Sequence, residues 1–280
     1  MIRRLLWSLV GVVALAAQVS AGQPLEDRSR LHVYAACADR VVVGRVHSPE
    51  SKPVKVKPVP GVSHEITYHL FRLSSTETFA GGKAVTEVRI GGFLGDGKRA
   101  PVVPDTTPVP NPFVEDAEGL FFLQLHYSGE FYFVEKFVPK QDGKLLDDDL
   151  KAAKRYLGLL ANPLASLRSK EPSDRLTSAV LLLTRYQYRT TGFLTTETQP
   201  IPADENKLIL AALAEANWET DSPVHPWEVA HHLWQSSGGK PGQVVKSPVL
   251  PKGTPAEQSA FLRDWVQKNL DTYRIERRYK

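Results

Sequence analysis

Apolar residues come in alternating or unbroken β-branched runs through the first half of this chain, and recur every three to four positions through the second. The two periods predict strands first and helices after them. Leu31, Tyr34, Ala35 and Ala38 fall at helical spacing behind the polar stretch Glu26-Asp27-Arg28-Ser29, which predicts a short helix ahead of the first strand. Arg40 to Val46 is β-branched and continuous, as a strand covered on both faces would be. A long extended run from His64 to Phe79 follows, then Val85 to Ile90 with Val88 and Ile90 on one side. Leu120 to Tyr127 and Glu130 to Val138, joined at the turn dipeptide Ser128-Gly129, complete a set of five strands.

Two proline-rich connections, Ser48 to Ser63 and Gly92 to Glu118, separate these strands. Pro101, Pro104, Pro108, Pro110 and Pro112 bar regular structure in the second, because each removes a backbone donor and restricts its predecessor. Such loops are either binding surfaces or covers over the mouth of a barrel. Pro139 to Gly143 is a break. Beyond it Asp147-Asp148-Asp149 is expected to open a helix to Leu160, with the acids at its positive end. Ser173 or Asp174 caps a second helix carrying Leu176, Val180 and Leu183, and further helices are predicted over Asp204–Asn217, Pro226–Gln235 and Pro255–Tyr273. Arg175, Ala179 and Leu182 have a flavour that resembles HEAT-like repeats, without a fixed period. The fold class is therefore α+β: a five-stranded OB-like β-barrel with an N-terminal helix over residues 22–138, then an irregular all-α domain over 139–280.

Arg3 and Arg4, the apolar run Leu5 to Ala17 and the small residues of Val19-Ser20-Ala21 read as a Sec-type signal peptide over residues 1–21. The expected location is periplasmic or extracellular. The apolar run is shorter than the roughly 20 residues that span a bilayer, so no stable membrane insertion is expected once the signal is cut; a retained anchor would make the chain an envelope scaffold. Removing the signal lowers the net charge from +4 to about +2, too little to argue for nucleic acid. Lys52, Lys55 and Lys57 alternate with Pro and Val and lack interleaved aromatics that could stack bases, so they read as a solvated loop. A single cysteine excludes an internal disulfide, and Cys37, in Tyr34-Ala35-Ala36-Cys37-Ala38, is expected to pack as a small hydrophobe.

Three segments carry a family resemblance: Ala38 to Val46, Thr78 to Lys83 ahead of a Val-x-x-Val-x-Ile strand, and Asn111-Pro112-Phe113 leading through Gly119 to Leu120-Phe121-Phe122-Leu123. Over about residues 31–138 the chain resembles bacterial exported domains of the netrin/TIMP-like OB-fold type. The resemblance implies a fold. In the animal inhibitors of that superfamily an amino-terminal cysteine chelates the zinc of the target protease and disulfides hold the barrel. With Gly22 expected at the mature terminus and Cys37 the sole cysteine, neither feature carries over, and protease inhibition is not implied.

The candidate metal ligands are His225, Glu228 and His232, in His225-Pro226-Trp227-Glu228-Val229-Ala230-His231-His232. Glu228 and His232 stand four apart on one helical face, with His225 at the entry. The order differs from His-Glu-x-x-His, and the alternative is an amphipathic helix burying Trp227, Ala230 and Trp234 or Leu233 with its histidines at the boundary. Gly92 to Arg99 comes close to a P-loop but lacks the magnesium-holding hydroxyl, and Ala100-Pro101 follows where a helix must start. No Gly-x-Ser-x-Gly occurs. Glu115-Asp116 and Glu118 could flank a sugar but are common residues of polar loops. Trp218, Trp227, Trp234 and Trp265 fall on helices, where core packing is their expected role. The expectation is an exported, non-enzymatic binding protein without cofactor, its partner an unknown protein or cell-envelope component. The alternative is a metal-dependent hydrolase using His225, Glu228 and His232, strengthened if His126 or His64 converged on them.

Overall fold

The computed structural model describes residues 30–58, 62–80, 84–92, 111–140, 143–187, 199–218, 225–236 and 248–277. The expected signal peptide and the near P-loop beyond Gly92 lie outside the described residues. Helix α1 (Leu31–Cys37) leads into β1 (Arg40–Pro49), followed by β2 (Val54–Val56), β3 (Ile66–Ala80), β4 (Glu87–Gly92), β5 (Glu118–Leu125) and β6 (Tyr132–Pro139). The chain then forms α2 (Gly143–Ala161), α3 (Pro163–Leu167), α4 (Pro172–Gln187), β7 (Gln199–Pro200), α5 (Ala203–Glu215), α6 (Pro226–Ser236), α7 (Pro255–Asn269) and β8 (Glu276–Arg277). The architecture is mixed α+β, with a six-stranded sheet and seven helices among the described residues.

The apolar run of β1 is continuous because the strand is covered on both faces. Val42 and Val46 pack with Phe71, Leu73, Ile90, Phe121 and Leu123 on one side. Val41 meets Leu120, Phe122, Leu31 and Ala35 of α1 and Ala153 of α2 on the other. In β5, Leu120-Phe121-Phe122-Leu123 divides its side chains between the same two cores in the two-residue period of a strand. Helix α1 is thereby wedged between the sheet and the helices. Asp39 secures the junction behind it: its N–H donates to the Leu123 carbonyl at 2.9 Å and its Oδ2 accepts from Leu125 N–H at 2.8 Å.

The sheet runs β1-β5-β6-β4-β3-β2, and β1 also pairs with β3. Each of these ladders is antiparallel except β4–β6, whose contact is a single parallel bridge between Ile90 and Tyr132. The sheet folds back on itself at β1 but is not a closed barrel, because the β4–β6 seam lacks a ladder. Gly44 of β1 and Gly119 of β5 are register partners. A Cβ on Gly44 would collide with the carbonyl oxygen of Ser74, and one on Gly119 with that of Val138. Both glycines are therefore close-approach positions, where β3 and β6 press onto the central pair. The predicted turn at Ser128-Gly129 forms, with Gly129 at φ 77° and its N–H donating to the His126 carbonyl at 2.8 Å.

Leu176, Val180, Ile209, Leu213, Val229, Leu233, Leu262 and Val266 supply the helical core from α4, α5, α6 and α7. Two expectations are corrected here. Helix α2 begins at Gly143, ahead of Asp147-Asp148-Asp149, so the triplet lies beyond the first turn and does not cap it. Helix α7 starts as predicted, on a capping box between Thr254 and Glu257, but stops at Asn269 instead of running to Tyr273. The chain turns there so that the buried Tyr273 can donate its hydroxyl to the Leu233 carbonyl and set its ring on Trp265, with centroids 5.1 Å apart. The segment after that turn is clamped by buried Asn206 of α5, which accepts from Ile275 N–H at 2.8 Å and donates to the Tyr273 carbonyl at 3.0 Å. Strands β7 and β8 pair just beyond it.

Candidate functional site

The structure does not bring the three predicted ligands together. His225 is exposed at the entry of α6, where its carbonyl accepts from Glu228 N–H at 3.0 Å. Helix α6 turns Val229, Ala230 and Leu233 inward, which leaves Trp227 at 54% exposure, against the expectation that it is buried. His232 is buried too, instead of lying at the boundary. Glu228 and His232 face a residue that the sequence did not single out, His32 of α1, whose Nε2 lies 3.8 Å from Glu228 Oε2. Among the described residues no group of three or more His, Cys, Asp or Glu is arranged to hold a metal ion.

Burial pushes the His232 pKa down to about 3, with further lowering from His231, His32 and Arg30. Folding thus favours the neutral ring, while the unfolded chain takes up a proton as pH falls through the ordinary value of 6.5. This contribution to stability is complete above pH 6.5 and is lost progressively down to about 3. We expect His232 to withdraw about 2 kcal/mol between pH 7 and pH 5. Urea unfolding at the two pH values checks this: the difference shrinks by that amount in His232→Asn, whereas an unchanged difference assigns the acid sensitivity to other groups.

The remaining candidates take structural roles. His126 is buried among aromatic rings, stacked on Phe131 at 4.6 Å and edge-on to Phe133 at 5.1 Å. Its Nδ1 accepts from Ser128 N–H at 3.2 Å and lies 2.8 Å from Ser128 Oγ, so the ring knits the β5–β6 turn, and burial lowers its pKa. His64 is exposed. Cys37 has its thiol pKa pushed up to about 12, first by burial and then by Glu135, which keeps it protonated and unreactive. Asp116 pairs with Arg45 at 3.0 Å and Glu118 with Lys140 at 3.1 Å, while Glu115 accepts from Ser48 Oγ. These acids pin the end of the second proline-rich connection to the sheet; Val46 N–H donating to the Ala117 carbonyl and Asp116 N–H to the Val46 carbonyl, both at 2.9 Å, finish the join.

That join borders a groove. Val46 opposes Leu73 and Pro49 opposes Phe71, so His47 and Ser48 together face the single residue Arg72. Such a β-bulge bends its strand and re-aims side chains. Here it opens a depression of about 470 Å³ lined by His47, Ser48, Pro49, Glu50, Ser51, Arg72 and Glu87. Arg72 is directly opposite Arg89 in the β3–β4 register, a like-charge pairing that is unfavourable by itself. Glu50 relieves it with a two-pronged salt bridge, accepting from Arg89 Nε at 2.9 Å and from Nη2 at 2.8 Å. The Arg89 hydrogen bonds are the main reason that the Glu50 carboxyl sits below its usual pKa. Glu50 N–H donates to the Leu70 carbonyl at 2.7 Å, which fixes the carboxylate in place. Among the described residues Arg72 and Glu87, both exposed, have no ion-pair partner.

The sequence contained two signals for this groove: the proline-rich stretch after Ser48, and the charged Arg72 between the apolar Phe71 and Leu73. A second, smaller cavity of about 290 Å³ is lined by Glu215, Ala216, Asn217, Trp218, Ala256, Ser259 and Arg263, and its carboxylate Glu215 is already paired with Arg175 at 3.1 Å. No protein-family model matches the chain, and no curated protein is similar to it.

Proposed function

We propose that this chain is an exported, non-enzymatic binding protein that engages a protein or cell-envelope component at the groove beside the β1 bulge. The observation that carries this reading is the exposed guanidinium of Arg72, in no salt bridge among the described residues, in the wall of a depression of about 470 Å³, a volume within the usual range of ligand sites. The expected signal peptide supports export. Among the described residues no helix is long and apolar enough to cross a membrane. The same reading takes the sheet as a relative of OB-like barrels of the netrin/TIMP type. Supporting it are the double pairing of β1 with β3 and β5 and the parallel contact between β4 and β6. It takes the helices as an irregular, HEAT-like companion. A metal-dependent hydrolase at His225, Glu228 and His232 draws no support from the geometry, with His225 standing apart on the surface.

A photo-crosslinking residue at Ser51, in the exported full-length protein, tests the proposal. A discrete adduct from Ser51 that is lost in Arg72→Glu, and that does not form from a crosslinker at Lys207 of α5, is the expected result. No adduct, or the same adduct from both positions, overturns it.

A further inference from the structure

The wall of the groove is specific about charge. Arg72 is exposed and lines the depression, and its planar fork of donors is the geometric complement of a planar carboxylate. Arg89 is already occupied by Glu50. Glu50 and Glu87 line the same depression, and Glu115 is tied to its rim through Ser48. A phosphate dianion or a polyanion would therefore face more fixed negative charges than positive ones, whereas the single charge of one carboxylate is neutralised by Arg72. Ser51 lies in the same wall and supplies a hydroxyl donor.

The fold holds this arrangement for reasons unconnected with Arg72 itself. The bulge at His47-Ser48 is fixed by the register change between Val46 and Pro49, and the Glu50–Arg89 pair is fixed by the backbone bond of Glu50 to Leu70. Removing Arg72 also removes the like charge opposite Arg89, so the fold has no reason to fail when it is replaced. Arg72 is repelled by Arg89 and attracted by Glu50, so the fold gains little from it on balance, and an exposed guanidinium of that kind in a preformed depression points to a ligand.

Resting on the binding role proposed above, we infer that the groove takes a carboxylate carried on a peptide, held by the Arg72 guanidinium in a forked hydrogen bond. The carboxylate has two sources, a peptide C-terminus and an acidic side chain. Nuclear magnetic resonance titration of the labelled protein separates them, with shifts followed at the Ser51 and Glu50 amides and the Arg72 side-chain N–H. Three probes are used: N-acetyl dialanine with a free carboxylate, the same compound as its amide, and N-acetyl aspartate with its α-carboxyl amidated.

We expect saturable shifts with one or both carboxylate probes at about millimolar affinity, none with the amide, and about tenfold weaker binding or less in Arg72→Gln with an unchanged melting temperature. The probe that binds identifies the source. Equal binding of the amide, unaffected binding in Arg72→Gln, or tighter binding of inorganic phosphate overturns the inference. Absence of shifts with every probe also overturns it. In that case an adduct from Ser51 would keep the groove as a binding site for different chemistry, and its absence would remove the site altogether.

Discussion

Gly119→Ala is expected to destabilise the protein by about 3 kcal/mol, the largest loss anticipated from a single methyl group. The added Cβ would collide with the Val138 carbonyl oxygen and lie 2.7 Å from Phe137 Cε2. Neither neighbour can rotate away, because one is backbone in the β5–β6 ladder and the other belongs to the sheet core. Relief requires β5 and β6 to separate, at the expense of their hydrogen bonds and packing. Gly158→Ala in α2 gives the opposite sign: a Cβ there meets nothing within 4 Å, and alanine in a helix interior is favoured by about 0.8 kcal/mol. Urea unfolding followed by far-ultraviolet circular dichroism checks both. A loss below about 1 kcal/mol for Gly119→Ala would mean that the strands yield more readily than the close approach implies. Gly44→Ala should act on the same pairing from the other strand. Its effect should not add to that of Gly119→Ala, since the two glycines are register partners.

Asn206→Leu is the second large loss, about 2 kcal/mol. The asparagine performs the work of a paired strand for a segment without one: its side-chain amide accepts from Ile275 N–H and donates to the Tyr273 carbonyl. Asn206, Tyr273 and Ile275 are all buried, so leucine would leave the Ile275 N–H without a partner and the Tyr273 carbonyl with Arg274 Nη1 alone, at 3.1 Å. The loss should be local first. Gln187 Nε2 still donates to the Glu276 carbonyl at 3.0 Å, but β7 and β8 would lose the anchor that positions them. Limited proteolysis should cut the variant beyond Asn269 while the rest of the chain stays folded. A variant that resists protease as well as the parent does would show that Tyr273, through Leu233 and Trp265, holds the segment alone.

The strands were legible in the sequence wherever burial on one or two faces left a clean pattern, as in Arg40–Val46 and Leu120–Leu123. The helices were legible where the period of apolar residues was long enough to count. Missed features depend on partners distant in the chain. The Asp147–Asp149 triplet looked like a cap because acids suit a helix start, but nothing local marks Gly143 as the true beginning. Trp227 was expected to be buried with Ala230 and Trp234 or Leu233 on one face of an amphipathic helix, yet the buried face of α6 runs through Val229, Ala230 and Leu233 and leaves it exposed.

The candidate site divides in the same way. Glu228 and His232 could be paired by counting along one helix, but His32 reaches them only through the docking of α1, which no spacing encodes. Arg72 could be seen as a charge between the apolar Phe71 and Leu73. The bulge opposite it is a slip of register between β1 and β3, invisible until the strands are paired.

The wedge of α1 between sheet and helices has a consequence for how the chain is assembled. Val41, Leu120 and Phe122 turn apolar side chains away from the strand-only core and are covered by α1 and by Ala153 of α2. A nascent chain that ends before α2 would leave those side chains covered by α1 alone and open to water and to other chains on the side that α2 closes. The strand-rich half therefore depends on a helix that follows it for its solubility, and folding should become productive once residues 143–161 are available.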